Sequence, residues 1–125
     1  MIIKHIALEC EDREKAEIFF TEILGMPLTR EFEISSELSK LIFGIGDACK
    51  IITFDDGNAC FEVFITKRPH SKNYDHVCIE VDEIKGFISR CKNNGIEPII
   101  VPKGEKSLVF VKDFSGNLFE IKESK

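Results

Sequence analysis

The sequence predicts an α+β protein made of two tandem βαβββ modules, and three observations indicate this fold class. A shift of 71 positions carries the segment His5-Ile6-Ala7-Leu8-Glu9 onto His76-Val77-Cys78-Ile79-Glu80. Both segments alternate as strands do, with the histidine on one face. In each half a helical pattern follows, and then short apolar runs separated by turn residues, which is typical of further strands.

The first module is predicted to span residues 1–66 and to open with a strand over 2–9. Asp12 is expected to cap the following helix, whose apolar residues recur at i, i+3, i+4 and i+7. Gly25 is expected to end that helix, and Pro27 prevents its continuation.

The rest of the first module is richer in strands. A strand is predicted over 28–34, followed by a short helix capped by Ser35 or Ser36. Residues 50–66 are predicted to form a hairpin around the Asp-Asp-Gly-Asn turn at 55–58, since Asp-Gly is a favoured tight-turn pair.

The second module, residues 75–125, repeats this plan in a leaner form. A strand over 75–81 leads to Asp82, which is expected to cap a helix ending near Gly95. Three further strands are predicted, near 97–101, 107–112 and 117–122. Residues 67–74 are expected to be a polar linker between the modules. Residues 1–125 together are expected to form one domain.

The predicted arrangement places each helix outside its own short sheet. The opposite faces are then expected to form one cupped, barrel-like mixed sheet. The residues that these inner faces share are His5, Glu62, His76 and Glu120.

Composition narrows the function classes. The net charge of −5 and the absence of a basic stripe argue against a nucleic-acid partner. No apolar run approaches the roughly 18 residues of a membrane span. The five cysteines are odd in number and never spaced as CxxC, and the N-terminus lacks the pattern of a signal peptide, so we expect a cytoplasmic protein with free thiols.

Two histidines and two glutamates occupy matched places in strands of otherwise apolar character. A polar side chain buried in a strand is costly unless it is satisfied, and a bound metal ion would satisfy all four. The simpler alternatives are that each histidine is structural and that Glu62 is solvated on an open hairpin face. Cys60 and Cys78 lie two residues from predicted ligands, where core filling is the simpler role and contact with substrate or metal the alternative.

The order and spacing of these motifs resemble the vicinal oxygen chelate superfamily. The resemblance covers nearly the whole chain and is carried by His5-Ile6-Ala7-Leu8, Leu24-Gly25-Met26-Pro27 and the closing stretch Asp113-Phe114-Ser115-Gly116-Asn117-Leu118-Phe119-Glu120. It implies a divalent metal held by His5, Glu62, His76 and Glu120, with open positions for two neighbouring oxygens of a small-molecule substrate. An acid at the place of Glu62 is the glyoxalase I pattern within the superfamily.

Other residues depart from glyoxalase I. That enzyme has an arginine on its first strand that helps to bind glutathione, and the matching residue here is Glu9. Residues 35–46 look more like the helical insert of epimerase-type members. We therefore expect a substrate other than the glutathione hemithioacetal.

The donor set suits Ni, Co, Zn, Mn or Fe, and the sequence does not choose among them. The hypothesis is a metal-dependent isomerase or lyase that stabilises an enediolate, with Glu120 first and Glu62 second as the catalytic base. The alternatives are a metabolite- or antibiotic-binding protein of the bleomycin-resistance kind and a fosfomycin-resistance-like transferase. The resemblance and the exposed sheet edges also predict a homodimer.

Overall fold

A computed structural model describes residues 3–67 and 75–125, which fall into two compact units, one on each side of that gap. Each unit contains one open four-stranded mixed sheet, and the α+β class with two βαβββ modules is thereby confirmed. The predicted linker, apart from Lys67, lies outside the described residues. Within the described part of the chain, no helix is long and apolar enough to cross a membrane.

The first unit follows the predicted order, including the short inserted helix after its second strand, which Ser35 caps. Its elements are β1 (Ile6–Cys10), α1 (Arg13–Glu17) continuing as a π-helical turn (Ile18–Ile23), β2 (Leu28–Ile34), α2 (Ser36–Phe43), β3 (Cys49–Asp55) and β4 (Cys60–Ile65). The sheet order is β1-β4-β3-β2, in which β1 runs parallel to β4 and the other neighbours are antiparallel.

The second unit has the same topology without the inserted helix. Its elements are β5 (Val77–Val81), α3 (Ile84–Asn93), β6 (Ile99–Lys103), β7 (Lys106–Lys112) and β8 (Leu118–Glu123). The sheet order β5-β8-β7-β6 repeats that of the first unit, again with the first strand parallel to the last.

The capping residues of two helices can be compared with the prediction. Asp12 caps α1 as predicted, because its Oδ1 accepts from the Lys15 backbone N–H at 3.0 Å. The prediction that Asp82 caps α3 is wrong: Glu83 is the cap and accepts from the Gly86 N–H at 3.0 Å. The shift of 71 positions carries Asp12 onto Glu83, so the repeat indicates the cap better than residue preference does.

Two strand boundaries also differ from the prediction. Strands β1 and β5 begin one residue after His5 and His76, so each histidine precedes its strand rather than lying within it. Strand β6 runs over Ile99–Lys103, two residues later than predicted, because it pairs with β7 up to the tight turn at Gly104.

Helix α1 and its π-helical continuation pack on the sheet face opposite Glu62. Phe20 stacks on Phe54 with ring centroids 4.9 Å apart and contacts Phe61 at 5.4 Å. Phe61 and Val63 alternate with Glu62 along β4 and are buried, whereas Glu62 is only partly covered. Burying each such side chain stabilises the fold by roughly 1.5–3 kcal/mol. The helix thus covers the face of Phe61 and Val63, and Glu62 lies on the other face of the sheet.

Candidate metal centre

In the first unit, strand register brings His5 and Glu62 together. Ala7 lies opposite Glu62 in the parallel β1–β4 pair, and His5 shares the face of Ala7 because it lies two residues earlier. The His5 Nε2 atom lies 3.3 Å from Glu62 Oε1. The histidine side chain is 44% exposed and the glutamate side chain 21%, so solvent reaches the pair from one side.

The second unit repeats this geometry. Cys78 lies opposite Glu120 in the β5–β8 pair, and His76 is again two residues earlier on the same face. The His76 Nε2 atom lies 3.3 Å from Glu120 Oε2, with side-chain exposures of 32% and 17%. The two histidine–glutamate pairs are therefore equivalent in register, in the atoms that approach and in distance.

These donors fit a divalent ion. Imidazole nitrogen and carboxylate oxygen bind such ions at about 2.1 Å, and two ligands at right-angled or tetrahedral positions then lie about 3.0–3.4 Å apart. The 3.3 Å separation in each pair falls within that range. Two imidazoles and two carboxylates would also leave a divalent ion formally neutral.

Asp75 is a site residue that sequence reasoning missed. Its Oδ1 lies 2.6 Å from His76 Nδ1, which leaves Nε2 of the same ring to face Glu120. Histidines that bind metals commonly donate their second N–H to a carboxylate in this way. Asp75, through this hydrogen bond first and its charge second, raises the pKa of His76. The signal in the sequence was an acid immediately before a candidate ligand.

The two pairs differ in their neighbours across the sheet. Thr53 lies opposite Glu62 on β3, whereas Phe110 lies opposite Glu120 on β7. The Phe110 ring meets the His76 ring edge-on, with centroids 5.7 Å apart. Glu120 therefore has the more apolar surroundings.

Neither of the two cysteines beside the predicted ligands is fully buried, so the expectation that they fill the core is wrong. Cys78 is exposed, and Cys60 is partly buried in the wall of a cavity of about 380 Å³ that His5 also lines. Burial raises the pKa of both thiols, and the neighbouring Asp55 and Glu120 carboxylates raise the pKa of Cys60 and Cys78 respectively. Both thiols therefore stay protonated near neutral pH.

Each unit contributes a pair rather than a complete set of ligands. Among residues 3–67 and 75–125, no group of three or more histidine, cysteine, aspartate or glutamate side chains is arranged to hold a metal ion. The geometry brings His5 to Glu62 and His76 to Glu120. The convergence of all four residues on one ion stays a prediction.

Two repeated βαβββ modules, each with one histidine–glutamate pair at the same strand register, define a class of paired-module proteins. The Glyoxalase/Bleomycin resistance protein/Dioxygenase superfamily matches residues 2–121. The chain belongs to that superfamily, which confirms the resemblance drawn from the sequence.

Individual relatives agree with this assignment. A probable lactoylglutathione lyase of Vibrio cholerae is 31% identical, over 98% of this chain and 91% of its own. A glyoxalase family protein from Bacillus cereus has a TM-score of 0.77 at 21% identity, covering 98% of this chain and 93% of that one.

A third relative shows a metal in this superfamily. A variant of the fosfomycin resistance protein FosX from Listeria monocytogenes was solved with Mn(II) and 1S,2S-dihydroxypropylphosphonic acid. It has a TM-score of 0.73 at 20% identity, and the alignment covers 100% of this chain and 93% of that one. Members of the superfamily thus include divalent-metal proteins that bind small molecules.

Proposed function

We propose that this protein is a divalent-metal-dependent isomerase or lyase of the glyoxalase I-like type, with His5, Glu62, His76 and Glu120 as the metal ligands. The observation that carries the proposal is the repeated pair: in both units an imidazole Nε2 lies 3.3 Å from a carboxylate oxygen at the same strand register. The name of the relative in Vibrio cholerae, a probable lactoylglutathione lyase, supports lyase chemistry.

A divalent ion held by these residues would bind two adjacent oxygens of a substrate and stabilise the enediolate formed on proton loss. The protein must supply the base. We assign Glu120 first, because it is the less exposed carboxylate and lies opposite Phe110. It would take the proton from one substrate carbon and return it to the next. Glu62 is the second candidate.

The substrate is proposed to be a small metabolite with vicinal oxygens other than the glutathione hemithioacetal. Glu9 lies on the same face of β1 as Ala7 and is partly buried. A carboxylate at this position would repel the carboxylates of glutathione, whereas the arginine of glyoxalase I attracts them.

Metal stoichiometry tests the ligand set. Metal-free protein titrated with Zn²⁺ is expected to bind one ion per chain, and His5→Ala and His76→Ala are each expected to abolish that binding. His70→Ala is the matched control and should bind as the wild type does. Two ions per chain, with each variant losing only one, would show that the pairs act separately and would refute the shared site.

Proton exchange tests the chemistry. The metal-loaded protein is expected to exchange the carbon-bound proton of some 2-hydroxycarbonyl or 2-ketoacid compound with D₂O, and Glu120→Gln to lose this exchange while retaining metal. Full metal occupancy without exchange on any such compound would favour a sequestering, bleomycin-resistance-like role instead.

A further inference from the structure

Three polar side chains lie side by side on the face of the first sheet that carries Glu62. Arg30 lies opposite Thr53, Thr53 opposite Glu62, and Glu62 opposite Ala7, so one line of cross-strand partners runs over all four strands. The equivalent row in the second unit is Ile99, Phe110, Glu120 and Cys78, in which apolar residues replace the arginine and the threonine.

Arg30 is positioned on this face but makes no ion pair among the described residues. Its guanidinium lies 4.3 Å from the centre of the Phe32 ring, and Phe32 packs against the cluster containing Ile51 and Phe64, which share the face of Glu62. On the opposite face, Glu31 instead binds Arg13 at 2.7 Å and Lys50 at 3.2 Å. The guanidinium of Arg30, an exposed strand residue, thus lies over an aromatic ring and has no acidic partner in the described parts of the chain.

Thr53 supplies a second, independent observation. It is only 8% exposed, and its hydroxyl, which no atom of the described residues hydrogen-bonds, lies between Arg30 and Glu62 in the row. A buried hydroxyl without a partner costs roughly 1–3 kcal/mol. Such a cost at a ligand-bearing face is explained if a bound molecule supplies the missing partner.

We propose that Arg30 and Thr53 form an anion-recognition arm, so that the substrate carries a carboxylate at some distance from its two vicinal oxygens. This inference rests on the proposed function, in which Glu62 holds the metal. Arg30 is two strand spacings from Glu62, about 10 Å between Cα positions, and the arginine side chain reaches back over part of that distance. A small dicarboxylate with a 2-hydroxy acid at one end fits this spacing.

Paired probes test the arm. 2-Hydroxyglutarate and 2-hydroxypentanoate share the 2-hydroxy acid, but only the former has a distal carboxylate. Zn²⁺-loaded protein is expected to bind 2-hydroxyglutarate about 10-fold more tightly than 2-hydroxypentanoate, because one hydrogen bond to a charged group supplies that difference. Arg30→Gln should abolish this preference, Thr53→Val should reduce it by about 3-fold, and Arg30→Lys should retain part of it. In Arg90→Gln, whose arginine also lies near a phenyl ring, at 5.7 Å, the preference should persist.

The outcome separates this inference from the proposed function. An Arg30→Gln protein with the wild-type preference for 2-hydroxyglutarate would overturn the anion arm while leaving the metal site intact. If the wild type binds no Zn²⁺, the proposed function fails, and the arm is judged on metal-free protein by the NMR resonance of Arg30 Nε–H. A shift of that resonance with 2-hydroxyglutarate alone supports the arm, and an unmoved resonance overturns it.

Discussion

Thr53→Val is expected to make the free protein more stable, although threonine-to-valine changes in protein interiors usually do the opposite. The hydroxyl of Thr53 is buried, and among residues 3–67 and 75–125 no atom hydrogen-bonds it. Valine has nearly the same shape and keeps the β-branch that favours a strand position such as β3. The substitution therefore removes an unsatisfied polar group with little change in packing.

The magnitude follows from two contributions. Relief of the unsatisfied hydroxyl is worth roughly 1–3 kcal/mol, and the added buried methyl adds up to about 0.8 kcal/mol. Taking the lower end of the first contribution and leaving out the second, we expect a net gain of about 1 kcal/mol in the free energy of unfolding. For a chain of 125 residues this corresponds to a rise of about 4 °C in Tm.

Urea denaturation of the metal-free protein measures this gain. The midpoint should rise by about 0.5 M with an unchanged slope, taking a slope of about 2 kcal/mol/M. Thr66→Val is the matched control, because Thr66 is also 8% exposed and, unlike the Thr53 hydroxyl, has an interaction partner. That control should lose about 1 kcal/mol. Equal destabilisation by the two substitutions would refute the reasoning, because it would mean that the Thr53 hydroxyl is satisfied.

Two further predictions concern titration. Asp75→Asn should lower the pKa of His76 in the metal-free protein, because the hydrogen bond that the ring donates to Asp75 is the largest influence raising it. NMR titration of the ring measures this pKa, and an unchanged value, as expected for the Asp82→Asn control, would contradict the contact. Burial raises the pKa of Cys91 to about 11, so the folded state keeps its proton while the unfolded state loses it above pH 9. Stability should therefore fall by about 1–2 kcal/mol from pH 9 to 11, and Cys91→Ala should flatten that decline in urea denaturation; parallel declines in both proteins would contradict the assignment.

Much of the fold was predictable because its signals are local. The helical spacing after Asp12 and the Asp-Gly turn of the first hairpin each act over a short stretch. The 71-position repeat is longer, but it can be read directly from the printed sequence. The error at Asp82 came from preferring aspartate as a cap when the repeat indicated Glu83. In both units the cap is the second residue after the first strand, which ends at Cys10 in one and at Val81 in the other.

The contents of the candidate site were less predictable. Thr53 and Arg30 look like ordinary strand residues in the sequence, and their places beside Glu62 depend on how β2 and β3 pair. A shift of one residue in either register would turn their side chains to the opposite face. The asymmetry between the polar row of the first unit and the apolar row of the second is likewise a property of pairing.

The amino-acid sequence by itself determined the order of the elements, the repeat of the two modules and the matched histidines and glutamates, because these depend on local pattern and spacing. Only the tertiary structure decided that His5 Nε2 lies 3.3 Å from Glu62 and His76 Nε2 the same distance from Glu120. Parallel pairing of the first and last strands of each unit joins residues far apart in the chain. Its register is set by packing of the apolar side chains on the opposite face, which no short stretch of sequence encodes.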